Sequence, residues 1–277
     1  MNIAIQGYEG SFHHIAALRY FGPDREIVSC PTFRDVAFRV EQGEAPYGVM
    51  AIENSIAGSI MPNYRILQNP HLQVAGEVYL PIQQNLMALP GMDLAQIEEV
   101  HSHPMALLQC MDYLDEHPTW TLVETADTAW SARHLAETES RKSAAIASTL
   151  AAQLYGLEIL APAINTIHPN YTRFLILKQA DPHVATEGDK ASLYFKTRHC
   201  RGALLQVLRQ LEDSSINLSK LQSYPIPSEP WHYLFHVDME FEAIEDYFQA
   251  VKKMEQVVEE MHIYGVYKKA AHDDPRT

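Results

Sequence analysis

Long apolar runs are missing: nowhere in the 277 residues does an uninterrupted hydrophobic stretch approach the roughly 18 residues that span a bilayer. A soluble protein without a membrane partner is expected. Because Met1-Asn2-Ile3 leads straight into a strand pattern instead of a signal peptide, the expected location is cytoplasmic. Cysteine is scarce as well. Cys30, Cys110 and Cys200 are isolated and odd in number, which argues against a disulfide framework or a thiolate metal site and predicts reduced, buried thiols. Positive charge is in deficit, with 21 Lys and Arg against 35 Asp and Glu. The resulting net charge of −14 sets nucleic acid aside, since binding there depends on cations that neutralise phosphates. A small anionic ligand stays compatible if a few groups, such as Arg173 and helix N-termini, make its site locally positive. Nucleotide fingerprints are absent, because the spacing of Gly7 and Gly10 fits neither the dinucleotide nor the P-loop pattern. His101 and His103 would point to opposite faces of a strand with no third ligand at a recognisable spacing, so no metal is expected.

What is present is a chain that is 47% hydrophobic and long enough for two or three cores. Up to about residue 178 strand and helix patterns alternate, which predicts a largely parallel sheet with helices on both faces. Strands are expected at 3–5, 27–29, 48–52, 100–102, 122–123, 144–147 and 174–177, and helices at 11–21, 33–41, 105–114, 128–139 and 148–155. Residues 180–189 are polar, aperiodic and carry Pro182 and Gly188, so they read as a linker. After it come strands at 191–195, 216–221, 233–239 and 263–267 with helices at 202–211 and 244–261, a βαββαβ order. That order gives a two-layer α+β sandwich with an open sheet face or edge, suited to pairing with a copy of itself.

Ligands of open α/β sheets bind beyond the carboxyl ends of the strands, which singles out residues 7–12, 53–59 and 102–109. Gly7-Tyr8-Glu9-Gly10-Ser11-Phe12 puts two glycines and an N-cap serine between strand and helix, a pattern equally suited to a structural cap and to anion binding. Glu53-Asn54-Ser55-Ile56-Ala57-Gly58-Ser59 follows a buried strand, and turn chemistry alone does not call for a glutamate at its end. Ser102 and Pro104 mark another helix start, with Gln109 further along as a surface residue or a ligand that reaches back. Asn170-Tyr171-Thr172-Arg173-Phe174 sets a neutral hydroxyl beside a permanent cation at the mouth of an apolar strand. In a regular strand Thr172 and Arg173 point to opposite faces, so both serve one ligand only if the chain is still irregular there.

In order, these segments resemble the prephenate dehydratase family followed by an ACT regulatory domain, over residues 3–267. The likeness rests on Gly7 to Phe12, on Ile52-Glu53-Asn54-Ser55 with Gly58-Ser59, and on Ser102-His103-Pro104 with Gln109-Cys110. It continues with Tyr155-Gly156-Leu157, Asn170 to Phe174, Gly202-Ala203-Leu204, and the block from Asn217 to Pro225. Departures from the family pattern are Asn63, Arg65, Gln84, Met105, Asn165-Thr166, Gln222 and Tyr224. The resemblance implies a two-lobed catalytic domain like type II periplasmic binding proteins at 1–179, with lobes at about 1–76 plus 159–179 and at 77–158. A linker at 180–189 and a ferredoxin-like ACT domain at 190–277 would follow.

The implied reaction turns prephenate into phenylpyruvate, water and carbon dioxide with no cofactor, because aromatisation of the ring drives it. By the same resemblance Thr172 is the donor to the departing C4 hydroxyl, and Glu53, Asn54, Ser102 and Gln109 are further catalytic positions. Ser11, Phe12, Ser55, Gly58, Asn170, Arg173 and Phe174 would bind substrate, with Arg173 and N–H groups near Ser11 and Ser55 on its carboxylates. Gly202, Ala203, Leu204, Asn217, Leu218 and Ser223 read as packing segments on their own; the resemblance makes them the site of phenylalanine as allosteric effector in a dimer or tetramer. Two alternatives stay open, an arogenate dehydratase and a non-catalytic amino-acid sensor. No chorismate mutase segment precedes Ile3, which disfavours a bifunctional enzyme.

Overall fold

In a computed structural model of the chain, residues 1–181, 187–212, 214–226 and 228–270 are described. The chain opens with β1 (Asn2–Gln6), α1 (Phe12–Phe21), β2 (Glu26–Cys30), α2 (Phe33–Glu41), β3 (Tyr47–Asn54), β4 (Gly58–Ser59), α3 (Met61–Leu67) and β5 (Leu72–Pro81). It crosses into β6 (Asn85–Ala88), β7 (Glu99–Ser102), α4 (Pro104–Leu108), α5 (Met111–Asp115), β8 (Thr121–Glu124), α6 (Thr128–Thr138), β9 (Ser143–Ala147), α7 (Thr149–Tyr155) and β10 (Glu158–Ala161). It then returns as β11 (Tyr171–Gln179). Two sheets result, ordered β2-β1-β3-β11-β5, with β4 on β3, and β10-β6-β9-β7-β8. Each forms the centre of one lobe.

Neither sheet is largely parallel. β1 runs parallel to β2 and β3, but β11 comes back from the other lobe and pairs antiparallel with both β3 and β5. In the second sheet β6 is antiparallel to β9 and β10. The lobe limits expected near 76 and 159 fall inside elements: β5 stays in the first sheet to Pro81, and β10 pairs in the second through Ala161. The helix expected over 105–114 is broken, because the Gln109 carbonyl accepts the Thr166 N–H (2.8 Å) and the Asp112 N–H turns to Thr166 Oγ1 (3.1 Å). The other helix starts follow their caps: Ser11 accepts from the His14 N–H, Thr32 and Asp35 form a capping box, and Asp127 and Ser148 cap α6 and α7.

Beyond the segment 182–186, which lies outside the described residues, come β12 (Lys190–Lys196), α8 (Ala203–Glu212), β13 (Asn217–Pro225), β14 (Tyr233–Glu240), α9 (Ile244–Met254) and β15 (Glu260–Tyr267). Their antiparallel sheet is ordered β13-β14-β12-β15. The helix expected to reach 261 ends at Met254, and the β-branched pair Val257-Val258 leads into β15 instead. Phe195, Val237 and Met239 pack with Val207 and Tyr247 of α8 and α9 on one face of this sheet.

The opposite face lies against the first lobe. Met50, Ile52, Leu175 and Leu177 form one buried core with Tyr194, Leu234, Tyr264 and Tyr267. At Gly265 the backbones come so close that a Cβ would sit 2.1 Å from the Val74 carbonyl oxygen. β3 is therefore buried on both sides, since Val49 and Ala51 face the core under α1. Of the thiols, Cys30 and Cys110 are buried as expected, whereas Cys200 is exposed. Among the described residues no helix is long and apolar enough to cross a membrane.

Candidate active site

Between the lobes lies a cleft of about 770 Å³. Its walls carry the N-terminal ends of three helices of nine residues or more: Ser11 and Phe12 at α1, Thr32 and Phe33 at α2, and Asp127 and Thr128 at α6. These are the ends whose amides lack intrahelical acceptors and whose dipoles favour anions. The lining of the described chain includes no lysine and no arginine. A carboxylate in this cleft meets backbone N–H groups and polar side chains instead, with the Asp127 carboxyl on the same wall.

β3 and β11 put Asn54 opposite Thr172 at the cleft. The Asn54 Oδ1 accepts the N–H groups of Ile56 (3.0 Å) and Ala57 (2.9 Å), which fixes the orientation of the amide. Its Nδ2 therefore donates, with two hydrogens shared among Asn170 Oδ1 at 2.7 Å, Thr172 Oγ1 at 3.0 Å and the Tyr171 carbonyl at 3.1 Å. Thr172 receives a hydrogen there and keeps its own. Asn170 passes the same polarity on by donating from Nδ2 to Gln109 Oε1 (3.2 Å), which leaves the Gln109 Nε2 as a donor on a cleft-lining side chain. This chain of amides runs from the first lobe to the second. It presents hydrogens, not lone pairs, to whatever occupies the space.

The lobes also touch directly at the glycine turn. Ser148 Oγ donates to the Gly10 carbonyl (2.5 Å), and Tyr155 Oη donates to that of Glu9 (2.7 Å). Gly10 has φ +88°, and a Cβ on it would lie 2.9 Å from Ala151 Cα. The glycine at this position thus serves close approach of the lobes, while the anion-facing role falls to Ser11 and the first turn of α1. Burial holds His13, between the rings of Phe33 and Phe174, down to about 3, so it enters the cleft as neutral imidazole. Burial pushes the Asp127 carboxyl up, against the pull of the Trp130 and Ala129 N–H groups and of His103.

Glu53 and Arg173 are paired across β3 and β11 in the next register position, and both face away from the cleft. Arg173 is 3% exposed and gives Nε to Glu77 (2.7 Å), Nη1 to Asp238 and Nη2 to Tyr267 Oη (3.0 Å). Lys190 joins at Glu77 (2.9 Å), and Ser192 bridges Asp238 (2.5 Å) and Tyr267 (2.7 Å). Burial alone would raise the Asp238 carboxyl, but Arg173 and Lys190 outweigh it and hold it down to about 2. Arg173 is likewise kept charged by Asp238 and Glu77 against the effect of burial. Glu53 is occupied by Lys220 of β13 at 2.6 Å.

A second cavity, of about 460 Å³, lies on the C-terminal sheet around Gly202, Ala203 and Leu204. Arg198 and Arg201 make it basic, and His199 and His232 share its wall. Ser223 is paired with Phe235, a residue of its wall, but Asn217 and Leu218 are at the far end of the same strand, beside Glu240 and Met239.

The prephenate dehydratase family model matches residues 3–182. This chain belongs to that family. A curated relative, the bifunctional chorismate mutase/prephenate dehydratase of Aquifex aeolicus (strain VF5), is 34% identical over 98% of this chain and 74% of its own length. Among solved structures, a prephenate dehydratase in complex with L-Phe from Arthrobacter aurescens superposes with a TM-score of 0.86 at 28% identity, covering 97% of this chain and 90% of that one. Another, described as GqqA, a novel type of quorum quenching acylase, gives 0.88 at 28% identity over 98% and 99%.

The structure of this prephenate dehydratase family member brings Ser11, Phe12, Asn54, Gly58, Gln109, Thr172 and Phe174 to one cleft, with Asn170 directly behind. Besides Asn170, four sequence-chosen residues are not on its wall. Arg173 faces the C-terminal sheet because neighbours alternate along β11 between Thr172 and Phe174, whereas Glu53 shares that side with Ile52 at a register shift of β3 against β11. Ser102 is fully buried and pins β7 to β9 by donating to the Ile146 carbonyl (2.7 Å). Ser55 is exposed and accepts the Tyr171 N–H (2.9 Å). Sequence reading missed Thr32, Asp127 and Thr128, as well as His13, and gave Ser59 no role although it closes the chosen segment 53–59. The signal was there in part, since the ends of β2 and β8 obey the same carboxyl-end rule as the segments chosen. Two departures from the family pattern, Gln84 and Met105, also line the cleft.

Proposed function

We propose that this protein is a prephenate dehydratase that forms phenylpyruvate, water and carbon dioxide, with Thr172 as the donor to the departing hydroxyl. The observation that carries this reading is the direction of the Asn54–Thr172 hydrogen bond. Because Asn54 donates to Thr172 Oγ1, the threonine hydrogen is left for the cleft, where it can follow the C4 oxygen as charge builds on it. In that step the bond from the ring to its carboxylate breaks and its electron pair enters the ring. The C4–O bond breaks with its own pair, and the oxygen leaves as hydroxide that takes up a proton to become water. A threonine is a weak acid, so a hydrogen bond that tightens in the transition state fits better than full proton transfer.

The two carboxylates of the substrate fit a site without lysine or arginine on its wall if the first turns of α1, α2 and α6 and the Gln109 amide receive them. The short chain of amides ending at Gln109 ties that capture to the relative placement of the lobes. Acyl-group chemistry, named for one structural neighbour, needs an activated nucleophile. Among the described hydrogen bonds no cleft hydroxyl is paired with an imidazole, and the one that meets a carboxylate, Thr32 on Asp35 (2.7 Å), is held in the capping box of α2, which favours the dehydratase.

We further propose that the C-terminal sheet is an ACT regulatory module that binds L-phenylalanine. Gly202 to Leu204 and Asn217 to Leu218 lie at opposite ends of one sheet, and β13 is an edge strand. A site shared between two copies of the chain would bring such segments together. Purified protein incubated with prephenate should yield the absorbance of phenylpyruvate, and added L-phenylalanine should change the rate. No phenylpyruvate from a folded preparation would refute the assignment.

A further inference from the structure

Ser59 stands on the cleft wall, yet both of its described side-chain partners come from the C-terminal sheet. Lys220 Nζ is 2.9 Å from Ser59 Oγ, and a lysine can only donate, so the serine oxygen accepts there. The single hydroxyl hydrogen is then directed to Gln222 Oε1, at a long 3.2 Å. The Gln222 amide is fixed in this sense, because its Nε2 donates to the Ser223 carbonyl (2.9 Å). Ser59 thus has at its back an ammonium that it shares with the Glu53 carboxylate (2.6 Å), and one hydrogen shared with a neutral acceptor. Donation from an ammonium polarises the hydroxyl and makes it a better donor in turn. A carboxylate arriving in the cleft is a stronger acceptor than an amide.

We propose that Ser59 is a carboxylate-binding residue of the cleft, charged through Lys220, with Gln222 competing for its hydrogen. This rests on the reading that the cleft takes a dicarboxylate. It gives the cleft the cationic help that its wall lacks, since Lys220 acts through Ser59 without itself lining the space. It also gives β13 a stake in substrate binding: when the substrate takes the hydrogen, Gln222 loses its partner.

The test is the steady-state kinetics of prephenate turnover by four variants, with folding checked by thermal melts. Ser59→Ala should raise KM by about 10-fold, the range for a charge-assisted hydrogen bond, and leave kcat within about twofold. Lys220→Met should raise KM in the same sense, and Lys220→Arg should restore most of it. Gln222→Met should move KM the other way, downward by about threefold, because the competitor is gone. Opposite shifts for Ser59→Ala and Gln222→Met are not produced by a merely structural contact between the sheets. Unchanged KM in Ser59→Ala, or a rise in KM in Gln222→Met, overturns the proposal. Failure of the underlying dehydratase reading is separate, since the unmodified protein would then show no turnover at all.

Discussion

Thr172 and Arg173 are consecutive in β11 and end on opposite sides of the sheet, the first in the cleft and the second in an ion pair with Asp238 of the C-terminal sheet. The same alternation sends Asn54 to the cleft and Glu53 to Lys220. Each functional strand thus has one face for chemistry and one face gripped by the C-terminal sheet. A displacement of that sheet acts on the backbone that carries Thr172.

Arg173 should accordingly behave as a stability residue. Replacing it by Met leaves Glu77 and Asp238 facing Lys190 alone in a buried setting, and we expect a loss of about 3–5 kcal/mol in urea unfolding. Whatever fraction remains folded should keep an unaltered KM. A large rise in KM at wild-type stability would return Arg173 to the substrate.

Asn54→Asp tests the direction of the bond to Thr172. A carboxylate accepts where the amide donated, so the threonine hydrogen would be drawn back to residue 54 and away from the cleft. We expect kcat to fall by about 10²-fold, comparable to loss of one transition-state donor. A kcat within twofold of wild type would contradict the proposed polarity.

Mild acid should destabilise the protein through its buried histidines. Burial holds His13 to about 3 and His236 to about 4, the latter against a smaller upward pull from Asp238, both below their ordinary 6.5. Since the folded values are depressed, the unfolded chain takes up protons first. The contribution of neutral imidazole is complete above about 6.5 and is lost on the way down through the folded values, at about 1.4 kcal/mol per pH unit and group. Urea midpoints measured from pH 7.5 to 5 should therefore decline, and His236→Phe should remove about one proton from the slope. Equal slopes in the two proteins would show that His236 is not held neutral.

Ser102→Ala separates packing from chemistry. Its hydroxyl is spent on the Ile146 carbonyl, so we expect a loss of about 1 kcal/mol in stability and turnover within twofold of wild type. A drop in kcat of an order of magnitude would place Ser102 in the reaction.

Much of this was legible in the sequence where local rules suffice. Helix starts at Ser11, Thr32, Asp127 and Ser148 follow from their caps, and the βαββαβ succession of elements in the C-terminal part follows from periodicity. The cleft residues Asn54, Gly58, Gln109 and Thr172 were found because they sit in ordered motifs. What escaped depends on which strand neighbours which. β5 was not foreseen, and without it β11 could not be recognised as an antiparallel strand locked between two others, extended and paired from Tyr171 onward. With Thr172 and Phe174 on the cleft side of that extended strand, Arg173 is turned out of the site. Glu77 and Asp238, its partners, lie 96 and 65 residues away, beyond any local pattern.

The most direct measurement is prephenate turnover by Thr172→Ala beside Thr172→Ser, each checked for an intact fold. We expect the alanine protein to lose about 10²–10³ in kcat with KM little changed, and the serine protein, which keeps a hydroxyl, to recover most of the rate. An alanine variant that forms phenylpyruvate at the wild-type rate would contradict a donor role for Thr172.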